Sequence, residues 1–457
     1  MQEIGEINKY LETQFLKNEN MLISASPDFI GDLRKDAMHN FSLMGLPDRK
    51  NESYKYTPLN NAFGAEYAMQ LVPSKINLNV KDIFTCDVPN LNTRLEIILN
   101  GFYFGSDDPL IKLENGIIIG SLAEATRRYP DLVKQYYAKI ADITNNSLVA
   151  LNTAFALDGL FVYLPRGSEL LSPIQVVNLP MTGLDIMLHY RNLLILEENS
   201  RGEIIICDHT LSPFRFLTNS VTEIFAGKNT NFNFSRVQNE HLNSNLITSL
   251  HINQESGSHV TTSNISLHGG FIRNDIIVTL NGEGCENYAY GLFLADREQH
   301  VDNYLFIDHA KPDCYSRQLY KGILDDRATG AFNGHIMVRR DAQKTNAFQT
   351  NKNILLSDEA KMNAKPQLEI YADDVKCSHG ATTGQLDEDA LFYLQSRGIP
   401  RPEARLLMLN AFLHEIIDKI NILPLQSRIS ELVGKRLRGE LSRCNNCSMN
   451  CGQIQLS

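Results

Sequence analysis

The chain has 457 residues and a formal net charge of −10, so it is long enough for about two or three domains and lacks the basic face that nucleic-acid binding requires. Hydrophobic residues make up 43% and charged residues 21% of the sequence, which is typical of an ordinary soluble globular protein. Neither a signal peptide nor a membrane span is expected, and eight cysteines without a secretion signal predict free thiols in the cytoplasm.

Residues 1–150 predict a mostly helical N-terminal domain. Apolar residues recur at helical spacing over 4–11 and again over 29–41. Residues 95–104 predict a short strand and a turn, and a further helix is expected around 121–143.

Residues 151–385 differ in character from the N-terminal region. About thirteen short β-rich pieces follow one another with no long helix between them, which excludes a doubly wound α/β sheet. Many pieces alternate with Asn, Thr or Ser, as in the NFNFSR of 231–236, and this suits the stacked turns of a parallel solenoid. A β-sandwich fits the same pattern, and no fixed repeat period is visible. The residues alone therefore leave both architectures open.

Residues 386–443 predict a C-terminal domain of three amphipathic helices. Asp387 is placed to cap the first helix and Gly398 to end it, while Pro402 suits the first turn of the second helix. The remaining residues, 444–457, form a tail in which Cys444, Cys447 and Cys451 have the spacing of part of a cluster or zinc site. A fourth ligand is missing, and a disordered, oxidisable tail is the alternative.

Cys377 and His379 follow a predicted strand and an acidic turn. Two residues apart on a strand, a thiol and an imidazole point to the same face and could meet one metal ion or one sulfur species. The alternative is a buried small hydrophobe beside a hydrogen-bonded histidine, because Cys-x-His pairs occur by chance. A second set of polar residues is better explained as ladder and turn residues than as a metal site: His300, Asp302, Asp308, His309 and His335.

The whole string from residue 366 to residue 398 is far more specific than that pair. It resembles the C-terminal signature of the SufB/SufD family, the scaffold proteins of SUF iron–sulfur cluster assembly. GLPDRK at 45–50 and YKYTPL at 54–59 resemble the SufD form, although Tyr54 stands where Trp is usual. Gly380 follows His379 where SufB carries glutamate, which also favours SufD. The resemblance implies a mainly β fold, a right-handed parallel β-helix core flanked by an N-terminal mostly helical domain and a C-terminal helical domain.

The resemblance also implies a function. The chain would be a non-catalytic scaffold that pairs with a SufB-like paralogue and docks a SufC-like ABC ATPase, in which the ATPase activity would reside. His379, with Cys377, would lie at the SufB interface where an iron–sulfur cluster is transiently assembled. A reduced flavin on the complex is left open. The family's docking segment corresponds here to Phe392, Tyr393, Arg397, Gly398 and Phe412.

Two other functions compete with this prediction. Parallel β-helices also occur in polysaccharide lyases and hydrolases, which place carboxylates on one exposed sheet. No clustered carboxylate pair stands out here, and no G-x-x-x-x-G-K-[ST] phosphate loop is present. A SufB-like homodimer that acts without a paralogue is the second alternative. Neither nucleic acid nor a membrane is an expected partner.

Overall fold

The computed structural model describes residues 3–74, 91–105, 108–210 and 212–440. The fold is mainly β, with 40% of the described residues in strands and 26% in helices. A parallel β-solenoid of about 8 turns occupies the middle of the chain, and helices lie at both termini. The predicted β-helix between helical ends is therefore confirmed, and the sandwich alternative is wrong because successive turns pair in parallel.

The described helices and strands have the following bounds. The helices are α1 (Ile4–Ser24), α2 (Asp28–Met44), α3 (Leu59–Phe63), α4 (Leu122–Arg128), α5 (Pro130–Tyr136), α6 (Ser147–Phe155), α7 (Glu388–Ser396), α8 (Arg401–Ile417) and α9 (Leu423–Leu437). The strands before the solenoid are β1 (Ala68–Met69), β2 (Arg94–Leu99), β3 (Phe102–Phe104), β4 (Leu110–Lys112) and β5 (Ile118–Ser121). The solenoid strands are β6 (Leu160–Leu164), β7 (Ile174–Leu179), β8 (Ile186–Leu196), β9 (Arg201–Asp208), β10 (Phe216–Ala226), β11 (Asn231–Asn239), β12 (Ser244–Gln254), β13 (His259–His268), β14 (Phe271–Leu280), β15 (Glu286–Ala295), β16 (His300–His309), β17 (Tyr315–Leu324), β18 (Thr329–Val338), β19 (Asn346–Leu355), β20 (Lys361–Ile370) and β21 (Lys376–Gly384).

The solenoid strands alternate between two sheets. Even-numbered strands from β6 to β20 form sheet A, and odd-numbered strands from β7 to β21 form sheet B. The number of residues per turn varies, since Asn245 pairs with Phe271, 26 residues later, whereas Thr329 pairs with Lys361, 32 residues later. This variation lies in the corners and explains why the sequence shows no fixed period.

Aliphatic side chains fill the space between the sheets. One column runs through six consecutive turns of sheet A with each residue paired to the next: Leu194, Ile224, Ile252, Val278, Ile307 and Ile336. All six side chains are buried. Because burying such a side chain contributes about 1.5–3 kcal/mol, the column favours turns that stack in register.

The terminal helices cover the outer faces of the two sheets. Helix α6 packs on β8 and β10, where Asn152 donates hydrogen bonds to the carbonyl oxygens of Tyr190 and Asn219, both at 2.9 Å. Helices α8 and α9 fold back over sheet B, where Leu413 and Ile429 join its apolar cluster. The first end of the solenoid is also covered, because β2 extends sheet B and β5 extends sheet A.

Local predictions at the helix ends agree with the structure. Asp387 accepts hydrogen bonds from the backbone N–H groups of Asp389 and Ala390, and Gly398, which follows the C-cap residue Arg397, has a φ of 85°. The helix expected around 121–143 is instead divided into α4 and α5, since Pro130 begins the second of them. Within the described ranges, no helix is long and apolar enough to cross a membrane.

Candidate interface at the open end of the solenoid

The last turn of the solenoid is left uncovered by the rest of the described chain. Among the described strands, β20 pairs only with β18 and β21 pairs only with β19, so each sheet ends in a free edge there. Nearly all residues of both strands are exposed or half-buried, in contrast to the buried strands before them. An unpaired strand edge presents backbone donors and acceptors that can pair with another chain.

The two free edges differ in their backbone donors. The N–H of Lys361 donates a hydrogen bond to the Ala328 carbonyl oxygen in the preceding turn. Along a parallel strand, the backbone N–H groups point alternately to one neighbouring strand and to the other. The backbone nitrogen of Pro366, five residues after Lys361, therefore faces the open edge of β20. Proline lacks an N–H group and therefore interrupts that edge. In β21 the N–H of Lys376 bonds to Thr345 below, which leaves the N–H groups of His379 and Ala381 facing outward. The edge of β21 is thus the more complete template for pairing.

Cys377 and His379 lie in β21 on the inner face of sheet B. His379 pairs with Gln349, which pairs with Gln318, and both glutamines are buried. Cys377 pairs with the buried Ala347 in the same way. The two-residue spacing therefore places both side chains on one face, as predicted, at the point where the interior of the solenoid opens to solvent.

The surroundings of the two side chains are different. Cys377 is half-buried against Ala347 and Ala372, and burial raises the pKa of its thiol, which keeps it protonated near neutral pH. His379 is exposed, and its ring has no hydrogen-bonding partner among the residues that the structure describes. Directly below it, the buried Oε1 of Gln349 is also without a partner in the described part of the chain. The imidazole is thus free to contact an incoming chain or ion.

Helix α7 presents an apolar surface of its own. Phe392 is 73% exposed and Tyr393 is 58% exposed, while Leu391 on the opposite side is buried. The Arg397 guanidinium lies 5.2 Å from the centre of the Tyr393 ring and donates a hydrogen bond of 3.4 Å to its hydroxyl. Gly398 provides the left-handed turn that ends the helix beside this pair. These four of the predicted docking residues therefore form one surface.

Phe412 lies elsewhere, between α8 and sheet B. Its ring is half-buried, with the Lys321 Nζ 4.4 Å from the ring centre. The same ammonium group donates a 2.6 Å hydrogen bond to the Phe412 carbonyl oxygen. The structure thus gives Phe412 the position of an anchor that holds the C-terminal helices on the solenoid, and a docking role for it stays a prediction.

Comparison with known families agrees with this architecture. Residues 180–412 match the SUF system FeS cluster assembly, SufBD core domain, and residues 5–176 match the SufBD protein N-terminal region. The chain belongs to the SufBD family.

Curated relatives in the SufBD family match along most of their length. The chain is 30% identical to an iron–sulfur cluster assembly SufBD family protein of Synechocystis over 440 residues, covering 94% of this chain and 96% of the relative. It is 27% identical to SufD of Escherichia coli, with 86% of this chain and 90% of the relative covered. SufD of Bacillus subtilis is 26% identical, with 71% and 75% covered. The family recognised from the sequence is therefore confirmed.

The SufBD N-terminal motif has a structural explanation that the sequence did not reveal. Tyr54 stacks on the Arg273 guanidinium, 4.4 Å from the ring centre, and Thr57 hydrogen-bonds to Asp302. Arg273 also pairs with Asp275 at 2.6 Å and with Asp302, and all three charged side chains are buried. The motif thus packs on a buried ion cluster on the outer face of sheet A. Its members lie more than two hundred residues from Tyr54 in the chain, so no local pattern identifies them.

The other candidate metal residues do not come together. Asp308 pairs with Arg339, His309 with Ser316, and His300 stacks on Phe271. Among the described residues, no group of three or more His, Cys, Asp and Glu side chains could hold a metal ion. These residues are therefore better described as polar residues of the solenoid than as a metal site. Cys444, Cys447 and Cys451 lie outside the described residues, so a metal site in the tail stays a prediction.

Proposed function

We propose that this chain is a non-catalytic scaffold subunit of a SUF iron–sulfur cluster assembly complex. In this proposal β21 pairs with the end strand of a SufB-like paralogue, and α7 docks a SufC-like ABC ATPase. The observation that carries it is the free edge of β21 with an exposed imidazole at His379. Membership of the SufBD family supports the same role.

The open end suits a joint between subunits for physical reasons. A free edge of nine residues with outward N–H groups favours strand addition, and the neighbouring Tyr371 is 61% exposed. His379 would become enclosed when a second solenoid continues sheet B. Imidazole is a good ligand for iron and exchanges protons near neutral pH, so an enclosed His379 could bind the cargo of iron and sulfide. Cys377 would be a second, weaker contributor.

The helical surface suits a different partner. Phe392 and Tyr393 give α7 two adjacent exposed aromatic rings, and aromatic side chains commonly anchor protein interfaces. ATP-driven dimerisation of two docked ATPases would strain this chain and its SufB-like partner and open the contact between the two solenoids at His379. The ATP chemistry would belong to the ATPase and not to this chain. We place the complex in the cytoplasm, where the described cysteines, all of which are free, would remain reduced.

The experiment is an anaerobic pull-down of the tagged full chain, analysed together for partners, iron, sulfide and flavin. We expect a SufB-like protein and an ABC-type ATPase, with iron and sulfide on the complex. His379→Ala should keep both partners and lose most of the iron and sulfide, whereas Cys377→Ser should lose less. His39→Ala, at an exposed histidine on α2, is the matched control and should change nothing.

Each alternative has its own outcome in that experiment. Recovery of the chain with neither partner would contradict the scaffold proposal, and uronide cleavage by the isolated chain would favour the lyase alternative. A native mass of two copies without a paralogue would favour the homodimer. Serine replacement of Cys444, Cys447 and Cys451 tests the tail separately, since metal held there should be lost with them.

A further inference from the structure

A column of small polar side chains follows one corner of the solenoid. Each member stands immediately before an odd-numbered strand from β9 to β19: Ser200, Thr230, Ser258, Cys285, Cys314 and Thr345. All six are buried. We call this column the corner ladder. It contains hydroxyl groups in four turns and thiols in two consecutive turns.

The two threonine hydroxyl groups of the corner ladder close the turns that precede their strands. Thr230 donates a 3.0 Å hydrogen bond to the Gly227 carbonyl oxygen, and Thr345 donates one of 2.9 Å to Ala342. Cys285 makes the equivalent contact with Gly282 at 3.2 Å. A thiol is a weaker donor than a hydroxyl, so serine or threonine would serve the turn at least as well. The hydrogen bonds that close these turns therefore do not explain why two of the six positions carry thiols, which can also be oxidised.

The two thiols are close neighbours. The Cys314 Sγ lies 3.3 Å from the Gly282 carbonyl oxygen, the same atom that Cys285 contacts. The residues after them, Glu286 and Tyr315, are directly paired between β15 and β17. Paired Cα atoms on neighbouring strands are about 4.8 Å apart, which is within the range of roughly 4.4–6.8 Å that disulfides span.

Both thiols are fully buried, and exposed turn residues precede each of them: Glu283 and Gly284 before Cys285, and Asp313 before Cys314. Gly284 and Asp313 have left-handed backbones, with φ of 66° and 58°. The hydrogen bond from Cys314 lowers the pKa of the Cys285 thiol to about 7, and the Ser258 hydroxyl donates to the same sulfur at 3.7 Å. Oxidation of the folded chain requires a local opening of one of these turns, which would expose the Cys285 sulfur beside its partner.

We propose that Cys285 and Cys314 are a dithiol site that a two-electron thiol oxidant converts into a disulfide bond between consecutive turns of the folded chain. With diamide as the oxidant, the Cys285 sulfur adds to one azo nitrogen and the other nitrogen is protonated. The Cys314 sulfur then displaces the hydrazine. One S–S bond forms, and two protons and two electrons pass from the thiols to the N=N bond. The product ties β15 to β17.

The experiment oxidises the folded full chain with diamide, quenches it, and alkylates the remaining thiols in denaturant before peptide mapping. We expect the peptides that contain Cys285 and Cys314 to be joined by a bond that reductant cleaves. Cys285→Ser and Cys314→Ser should each abolish the joined peptide and keep the fold, because serine occupies the same position in other turns. Diamide treatment of the unfolded chain, where any cysteines can pair, is the reference.

A double variant tests whether the corner ladder is responsible. S258C/C314S moves the pair of thiols one turn toward the N-terminus, where the Ser258 and Cys285 side chains are also in contact. We expect a joined peptide in that variant as well. Recovery of Cys285 and Cys314 as separate alkylated peptides from the oxidised folded chain would overturn the proposal. Pairing of either thiol with any other cysteine, or linkage only in the unfolded chain, would overturn it equally.

Discussion

Several buried side chains of this solenoid are charged, so we expect single substitutions among them to have large effects on stability. Arg273 forms ion pairs with two buried carboxylates, Asp275 and Asp302, and its guanidinium also contacts the rings of Tyr54 and Tyr304. Desolvation raises the pKa of Asp275, and the guanidinium opposes that shift. The arrangement is favourable only while the cation is present, since an unpaired carboxylate in the same place would be far from water.

We therefore predict that Arg273→Leu destabilises the protein by about 3–5 kcal/mol, because it leaves the two carboxylates without a counter-charge. The urea midpoint followed by circular dichroism measures the loss. Arg327→Leu is the matched control, since Arg327 pairs with Glu298 and both side chains are well exposed. It should cost less than about 1 kcal/mol. Equal effects of the two variants would show that the buried cluster contributes no more than a surface pair.

His309 makes stability depend on pH. Its ring is buried, Nε2 lies 2.8 Å from the Ser316 hydroxyl, and burial lowers its pKa to about 3. The unfolded chain binds a proton at this histidine below about pH 6.5, whereas the folded chain does not until much lower pH. Protonation therefore favours the unfolded state as the pH falls. One such histidine removes roughly 2 kcal/mol of stability between pH 7 and pH 5.

We predict that His309→Gln reduces the loss of stability between pH 7 and pH 5 by roughly 2 kcal/mol, because glutamine takes up no proton in either state. The measurement compares urea midpoints at the two pH values within each variant, so a constant cost of the substitution cancels. His39→Gln, on the exposed face of α2, should keep the wild-type difference. An unchanged difference in His309→Gln would mean that the folded chain protonates this ring at mild pH.

At the scale of elements, the C-terminal helices differ in role: two pack against the solenoid, and one presents exposed aromatic residues. Helices α8 and α9 bury Leu413, Ile416 and Ile429 against sheet B, so they belong to the solenoid's own core. Helix α7 buries only Leu391 and leaves its aromatic residues in solvent. A surface of this kind can be changed without cost to the fold, because its side chains contribute little to packing.

We predict that the double variant F392S/Y393S loses the co-purifying ATPase and keeps the thermal stability of the parent chain. The loss should be at least tenfold, since each aromatic anchor of an interface commonly contributes about 2 kcal/mol or more. Leu43→Ser is the control, because Leu43 is 72% exposed on α2, away from the C-terminal helices. Retention of the ATPase by F392S/Y393S would place the docking surface elsewhere.

The sequence predicted where strands and helices occur better than which strands pair with each other. The strand at 95–104 was expected, but its parallel pairing of Arg94 with Ile174 could not be, because about eighty residues separate the two. Several strands proved longer than expected: β9 begins at Arg201, where the apolar pattern starts only at Ile204. Polar residues such as Gln318 and Gln349 occupy inner positions of the later turns, and there alternation no longer distinguishes inside from outside.

The candidate site was predictable only in part, for a similar reason. The spacing of Cys377 and His379 placed them on one face of a strand, and the structure agrees. That the strand is the last of its sheet follows from where α7 leaves the solenoid, and no pattern within 366–384 encodes it. The ion cluster around Arg273 was missed because Tyr54 contacts it from a distant part of the chain.

At the scale of the whole molecule, the solenoid is asymmetric. In the described part of the chain, the sheets end on the N-terminal side in the three-residue strands β3 and β4, whereas on the C-terminal side they end in the long free edges of β20 and β21, the first of which is interrupted by Pro366. A subunit with one long and uninterrupted free edge favours the addition of one partner there, and very short edge strands elsewhere limit open-ended association. This asymmetry makes the proposed joint at β21 testable through the backbone alone, without altering His379.

We predict that Ala381→Pro prevents association with the SufB-like partner and leaves the chain folded. The N–H of Ala381 faces the open edge, so proline removes a donor that the isolated chain does not use. Ala381→Ser keeps that donor and should assemble normally. Thr382→Pro removes a donor that faces β19 and should instead loosen the last turn, which hydrogen exchange of β19 would detect. Native mass spectrometry of the co-expressed proteins measures assembly, and a normal heteromer with Ala381→Pro would show that the subunits do not join through this edge.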